Sequence, residues 1–164
     1  MTHRILFVCT GNVCRSPMAQ GLFNARAQRE GENHLYIAES AGTWALENQP
    51  ASAHAITAMA QRGIDITAHR GQTISAELLD RASVVIVMTR NHLDALTAEF
   101  PTYRHKMHLM SELKGRIHDI NDPYGGTLDE YEECAQQLQD LIESGYSQIK
   151  AWASQNDSFP NRTH

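Results

Sequence analysis

Apolar residues follow two kinds of pattern along the chain, short unbroken runs and longer stretches with helical spacing. The runs at residues 5–8 and 83–88 have no polar face, which predicts strands buried on both sides of a sheet. Weaker runs at residues 35–39 and 106–110 predict two more strands. The pattern of short runs therefore predicts a sheet of four strands.

The longer stretches predict helices between and after these strands. Helical spacing covers residues 18–29, 51–62, 90–99 and 128 to about 152. Ser16 before Pro17 predicts a capping hydroxyl at the start of the first helix, and Gly63 and Pro101 are typical of residues just past helix ends. Strands and helices thus alternate, which is typical of an α/β domain with a central four-stranded parallel sheet flanked by helices.

Length and composition narrow the classes of protein. No repeat or flexible linker divides the 164 residues, so we expect one domain over residues 1–154 and a polar tail over 155–164. The net charge of -5 disfavours nucleic acid and anionic membranes as partners. Three cysteines cannot all pair, and the first apolar run is too short for a secretory signal or a membrane span. We therefore expect a cytoplasmic protein with free thiols.

The segment that follows the first predicted strand carries the candidate chemistry. Residues 9–17 read CTGNVCRSP and lead into a helix, where backbone N–H groups and the helix dipole can hold a phosphate-like oxyanion. Gly11 and Asn12 tolerate the left-handed backbone that such a loop needs, and Arg15 supplies a planar fork for two phosphate oxygens. Cys9 lies beneath the loop, where the same field favours a nucleophilic thiolate.

Four segments of the sequence resemble the low-molecular-weight protein tyrosine phosphatases, and the resemblance covers nearly the whole chain. They are VCTGNVCRSP at residues 8–17, SAG at 40–42, AHRGQ at 68–72 and DPYGG at 122–126. The resemblance implies Cys9 as the nucleophile, Arg15 as the phosphate clamp and Asp122 as the general acid. It also implies two-step hydrolysis through a phosphocysteine, with no metal or other cofactor.

The same resemblance implies supporting roles for further residues. A phosphorylated protein or peptide would be the substrate, with inorganic phosphate and similar oxyanions as competitive ligands. The implied phosphate-binding residues are Thr10, Gly11, Asn12, Val13, Cys14 and Ser16. Ser40 and His69 would hold the loop in shape, whereas Trp44 and Tyr124 would border the mouth of the pocket. A reversible disulfide between Cys9 and Cys14 is a further hypothesis.

Protein-arginine phosphatases of the same fold are the nearest alternative function. In that group a threonine stands at the position of Val13 and a phenylalanine at the position of Tyr124. Because valine lacks the hydroxyl that could form a hydrogen bond, Val13 favours phosphotyrosine as the substrate. One residue seldom fixes specificity alone, so the arginine alternative stays open.

Three other interpretations of the same residues are weaker. An arsenate reductase of this fold would need further cysteines where this chain has Met88 and Thr89. A non-catalytic anion-binding module is expected to lack the nucleophile or the acid. Zinc at Cys9 and Cys14 is disfavoured because no second ligand pair is visible and Arg15 would oppose a cation. We interpret His118 and Asp119 as part of a solvated loop rather than as metal ligands.

Overall fold

A computed structural model describes residues 2–115 and 119–155 of the chain. Its sheet has four parallel strands in the order β2-β1-β3-β4. The strands are β1 (His3–Cys9), β2 (Tyr36–Gly42), β3 (Val84–Val87) and β4 (Met107–Leu109). The fold predicted from the sequence is confirmed. Because all four strands are parallel, their carboxyl ends meet at one edge of the sheet.

Helices cover both faces of this sheet. They are α1 (Arg15–Arg29), α2 (Ala53–Ala60), α3 (Ala76–Arg81), α4 (Arg90–Glu99) and α5 (Leu128–Gln155), with 3-10 turns at Pro101–Lys106 and Met110–Lys114. Side chains alternate across the central strand β1, so that Phe7 packs with α1, α2 and α5 while Leu6 packs with α3 and α4. Burial on both faces explains why the strand runs lack polar positions.

Several details differ from the sequence prediction. The six-residue helix α3 was not predicted, because it is too short to show a periodicity. Lys106 is not in a strand: its buried Nζ donates to the carbonyls of Leu79, Asp80 and Ala82 at the end of α3. Helix α2 is shorter than residues 51–62.

The predicted cap at Ser16 is wrong. Helix α1 begins at Arg15, one residue before Ser16, and Cys14 precedes it without a capping hydrogen bond. The Ser16 hydroxyl instead contacts the Cys9 thiol, because the loop before the helix turns both side chains into the core.

Gly63 and Pro101 both lie just past helix ends, as the sequence predicted. Gly63 has a φ of +74° after α2, as a glycine past a helix end should, and α4 ends two residues before Pro101. No helix within residues 2–115 and 119–155 is long and apolar enough to cross a membrane. His118 and residues 156–164 of the predicted tail lie outside the described residues.

Candidate active site

A pocket of about 220 Å³ lies at the carboxyl edge of the sheet, where the loop of residues 10–14 joins β1 to α1. It is lined by Cys9, Thr10, Gly11, Val13, Cys14, Arg15, Trp44, Leu46, Asp122 and Tyr124. Open α/β sheets place ligands at this edge. The three residues with implied catalytic roles therefore line one pocket, although Asp122 is far from the other two in sequence.

The connection between β1 and α1, together with Cys9 before it and Arg15 after it, forms a phosphate loop of residues 9–15 whose backbone carbonyls are all hydrogen-bonded up to Cys14. Each carbonyl from Cys9 to Cys14 accepts a hydrogen bond, and the donors are the N–H groups of Thr43, Trp44, Leu46, Ser52 and Met18 and the Nε2 of His69. A trans peptide unit points its N–H away from its C=O, and the chain has no cis bond in its described part. The N–H groups of the loop therefore point inward, as an anion-binding loop requires.

Asn12 is the centre of the hydrogen bonds that hold this loop. It is fully buried with a φ of 60°, in the left-handed region. Its Nδ2 donates to the Ser16 hydroxyl at 2.8 Å and to the Ser40 hydroxyl at 3.0 Å, and its Oδ1 accepts from the Gln72 N–H at 2.9 Å. The residues that the resemblance placed around the loop, Ser40 and His69 among them, thus contact it directly.

Glycine at position 42 lets strand β2 approach the phosphate loop. A Cβ atom on Gly42 would lie 2.3 Å from the Thr10 carbonyl oxygen, well inside contact distance. This close approach allows the next two residues, Thr43 and Trp44, to donate to the loop carbonyls. Gly42 of the SAG segment therefore brings the backbone donors that follow it against the loop.

The Cys9 thiol lies at the end of β1 and is buried, with Sγ 2.9 Å from the Ser16 hydroxyl. The hydroxyl can donate to a thiolate, which would stabilise that form. The Cys14 thiol faces another way, with Sγ 3.2 Å from the Tyr131 hydroxyl and 3.5 Å from the Ser52 hydroxyl. Burial raises the pKa of Cys14, so this residue stays a thiol at neutral pH.

Arg15 is buried under the pocket and holds the acid loop, residues 119–126. Its Nη1 donates to the Ile120 carbonyl at 2.9 Å, and its Nη2 lies 3.4 Å from Asp122 Oδ2. The buried Nε has no hydrogen-bond partner among the described residues. A buried donor of this kind needs an acceptor, and an oxyanion in the pocket would supply one.

The far side of the pocket is more open. The Asp122 side chain is 45% exposed and its Oδ1 accepts from the Tyr124 N–H at 3.0 Å. Trp44 and Tyr124 are 82% and 61% exposed, and they stand at the pocket mouth with Leu46. Such exposed apolar side chains around a pocket mark a contact surface for a ligand.

Several contacting residues were not identified from the sequence. Gln72 belongs to the AHRGQ segment, although no role was predicted for it there. Ser52, Tyr131 and His92 also touch loop residues, and none of them belongs to one of the four segments that carry the family resemblance. Cys134 does not line the pocket. Burial raises the pKa of its thiol to about 12, and its Sγ lies 3.8 Å from the Asn121 carbonyl. Within the described residues, no group of three or more His, Cys, Asp or Glu side chains could hold a metal ion.

Comparison with known proteins gives consistent matches along the chain. The family described as low molecular weight phosphotyrosine protein phosphatase matches residues 4–154. A protein-arginine-phosphatase of Bacillus subtilis is 37% identical over 147 residues, which are 89% of this chain and 96% of that protein.

Solved structures agree with the sequence matches. A low molecular weight protein tyrosine phosphatase from T. tengcongensis has a TM-score of 0.85 and 39% identity, covering 90% of this chain and 99% of that one. A cysteine-to-serine mutant of YwlE arginine phosphatase, which has a phosphorylated active-site serine, has a TM-score of 0.85 and 36% identity over 90% of this chain and 95% of that one. This chain belongs to the low molecular weight phosphotyrosine protein phosphatase family.

Proposed function

We propose that this phosphatase hydrolyses phosphotyrosine in proteins, with Cys9 as nucleophile, Arg15 as phosphate clamp and Asp122 as general acid. One observation carries the proposal: Cys9, Arg15 and Asp122 line a single pocket, and the buried Nε of Arg15 has no hydrogen-bond partner among the described residues. The inward N–H groups of the phosphate loop complete an environment for a phosphoryl group. The chemistry needs no metal and no cofactor.

In the first step the phosphate dianion binds in the loop and takes over Arg15 from Asp122. The Cys9 thiolate attacks phosphorus, so that a P–S bond forms as the P–O bond to the leaving group breaks. Asp122 gives its proton to the leaving phenolate oxygen. The contact between Arg15 and Asp122 in the free enzyme supports this exchange, because it keeps the carboxyl within reach of the pocket.

In the second step water hydrolyses the phosphocysteine. The Asp122 carboxylate takes a proton from the attacking water, the P–S bond breaks, and Cys9 leaves as a thiolate. The Ser16 hydroxyl, 2.9 Å from Sγ, can donate to that thiolate and so stabilise the leaving group. The phosphorylated active-site serine of the YwlE mutant gives independent support for an intermediate on the nucleophile in this family.

Phosphoarginine is the second candidate substrate, because similar proteins carry both names. Val13 lines the pocket and presents only methyl groups where the arginine phosphatases have a threonine hydroxyl. Tyr124 at the mouth stands where they have phenylalanine. Val13 favours an aromatic substrate over a guanidinium, because a guanidinium needs hydrogen-bond acceptors and valine has none.

The test is phosphate release from two peptides of one sequence, one with phosphotyrosine and one with phosphoarginine, under reducing conditions. Cys9→Ser is the blank, and Cys134→Ser, a change of the same type outside the pocket lining, is the matched control. A preference for phosphotyrosine that depends on Cys9 supports the proposal. A preference for phosphoarginine moves the chain to the second candidate, and release that Cys9→Ser leaves unimpaired overturns the mechanism. No release from either peptide favours arsenate reduction or simple anion binding.

We propose that the protein works in a reducing compartment such as the cytoplasm, because all three cysteines are free thiols.

We also propose that Cys14 protects Cys9 from oxidation. Peroxide would convert the Cys9 thiolate to a sulfenic acid, and the Cys14 sulfur would displace hydroxide from it to form a disulfide. Burial raises the pKa of Cys14, so disulfide formation should become faster as pH rises. Mass spectrometry after mild peroxide treatment should find the disulfide, whereas over-oxidised Cys9 would contradict it.

A further inference from the structure

His92 touches the phosphate loop from a part of the chain to which the mechanism gives no role. It lies in the first turn of α4, where its N–H donates to the capping hydroxyl of Thr89 at 3.1 Å. Only 6% of the residue is exposed. Its ring points to the loop, and Nε2 lies 2.8 Å from the Thr10 hydroxyl. The start of α4 thus fixes an imidazole against the second residue of the loop.

Thr10 links His92 to Arg15, the proposed phosphate clamp. Arg15 Nη2 donates to the same Thr10 hydroxyl at 3.4 Å. The other contacts of the guanidinium are the Ile120 carbonyl, which holds Nη1, and the Asp122 carboxylate, which substrate would displace. With phosphate bound, Thr10 therefore remains as the side-chain contact of Nη2. The contact with His92 favours the χ1 rotamer that holds the Thr10 hydroxyl beside Nη2, because the side chain could otherwise adopt another staggered rotamer.

The His92 ring is neutral at the pH of the reaction. Burial and then the nearby Arg15 cation lower its pKa to about 4, against the opposite effects of Asp122 and Asp119. A neutral ring can contact Thr10 without repelling Arg15 or competing with it for phosphate. The Nδ1 atom is buried and has no hydrogen-bond partner among the described residues. The ring therefore makes its hydrogen bond to the Thr10 side chain through Nε2.

We propose that His92 is a positioning residue that orients the Thr10 hydroxyl and, through it, the Arg15 guanidinium for phosphate binding. The inference rests on the proposed role of Arg15 in holding phosphate. It assigns to α4 a direct part in the site, although α4 supplies no side chain that lines the pocket.

Two substitutions separate this role from simple packing. His92→Gln places an amide close to the position of Nε2, whereas the shorter His92→Asn places one close to Nδ1, out of reach of Thr10. We expect His92→Asn to weaken inorganic phosphate binding and lower kcat/KM by about tenfold, the value of one good hydrogen bond. His92→Gln should restore most of the loss. His34→Asn, at an exposed histidine, is the matched control and should have no effect.

A double-mutant cycle with Thr10→Val tests whether His92 acts through the Thr10 hydroxyl. The phosphate Kd, measured by calorimetry, is the readout alongside kcat/KM, with thermal unfolding as the check on folding. If the inference is right, adding His92→Asn to Thr10→Val causes no further loss of affinity. The inference is overturned if the double variant loses more phosphate affinity than Thr10→Val alone, by the factor that His92→Asn causes in the wild type. It is also overturned if His92→Gln binds phosphate as weakly as His92→Asn. Because phosphate binding does not need turnover, a failure of the proposed phosphatase activity is seen separately, as normal binding without catalysis in the wild-type protein.

Discussion

The two sides of the pocket are built differently. On one side the phosphate loop is buried: each carbonyl from residue 9 to residue 13 is held by another segment, and the carbonyl of residue 14 by the first turn of α1. On the other side Asp122 and Tyr124 are exposed. The acid loop is attached at its start, where the Ile120 N–H donates to the Met88 carbonyl and the Ile120 carbonyl accepts from Arg15. The Asp119 carboxylate accepts from the Arg90 N–H. The first side is rigid by construction, and the second has room to adjust.

This difference matches the two tasks of a phosphatase site. The phosphoryl group has the same size and charge in every substrate, so donors fixed in advance stabilise it without reorganisation. The rest of a phosphoprotein varies, and exposed side chains on a loop can accommodate it. Substitutions on the buried side should therefore change phosphate binding, whereas those on the exposed side should change proton transfer or substrate contact.

The largest effect is expected from Arg15→Ala on the buried side. Removing the fork should lower kcat/KM about 10³-fold and weaken inorganic phosphate binding, because two charge-assisted donors are lost. Arg15→Lys should recover little, since an ammonium has no planar fork. Arg62→Lys is the matched control: Arg62 pairs with Glu132 away from the pocket and should affect stability only. Steady-state kinetics and phosphate calorimetry give the answer, and normal phosphate binding in Arg15→Ala would contradict the clamp.

Asp122→Asn should give the next largest effect, and it should lower kcat without weakening phosphate binding, unlike Arg15→Ala. We expect kcat to fall about 10²-fold with phenyl phosphate and much less with a dinitrophenyl ester, because a good leaving group needs no proton. Phosphate affinity should be kept or improved, since Arg15 loses an anionic competitor. Asp119→Asn changes a neighbouring carboxylate that caps α4 and serves as the control. Equal losses for both esters would remove Asp122 from the role of acid.

Asn12 tests what makes the buried side rigid. Asn12→Gly loses three side-chain hydrogen bonds of about 1 kcal/mol each, so the free energy of unfolding should fall by about 3 kcal/mol. Asn12→Ala loses the same hydrogen bonds and also places alanine in the left-handed backbone conformation, which glycine adopts more easily. The free energy of unfolding should therefore fall by about 1 kcal/mol more than in Asn12→Gly. In both variants phosphate affinity should fall about tenfold or less. Denaturant unfolding checks the first effect.

Asn24→Ala is the comparison for Asn12, because Asn24 also bonds to β2 but lies outside the phosphate loop. It should lower the free energy of unfolding without changing phosphate affinity. Equal phosphate affinity in Asn12→Gly and the wild type would show that the loop keeps its shape without this side chain.

The smallest effect is expected at the exposed rim. Trp44→Ala and Tyr124→Ala should each raise KM for a phosphotyrosine peptide about fivefold, the size of one aromatic contact. The free energy of unfolding should change little, because both side chains are exposed. Leu35→Ala, at an exposed apolar residue that does not line the pocket, is the control. A large loss of stability in the rim variants would place these side chains in the fold rather than at the substrate.

Much of the fold could be predicted because its signals are local. The buried parts of strands β1 and β3 show as apolar runs, and the longer helices show as periodic stretches. Helix α3 has six residues and shows no period, and Lys106 could not be identified as a buried cap because its three acceptors lie in another element. The Ser16 cap was wrong because the motif reads the same whether the hydroxyl faces the helix or the thiol.

The four-stranded α/β fold and the candidate chemistry of the phosphate loop could be read from the amino-acid sequence, because both depend on neighbours in the chain: apolar runs, helix ends, and cysteine, asparagine and arginine within one loop. The contacts that distant residues make with this loop are visible only in the folded chain. Asp122 reaches Arg15, Tyr131 reaches Cys14 and His92 reaches Thr10 across 82 or more residues. These contacts depend on where parallel strands end and how α4 and α5 pack, which no local pattern encodes.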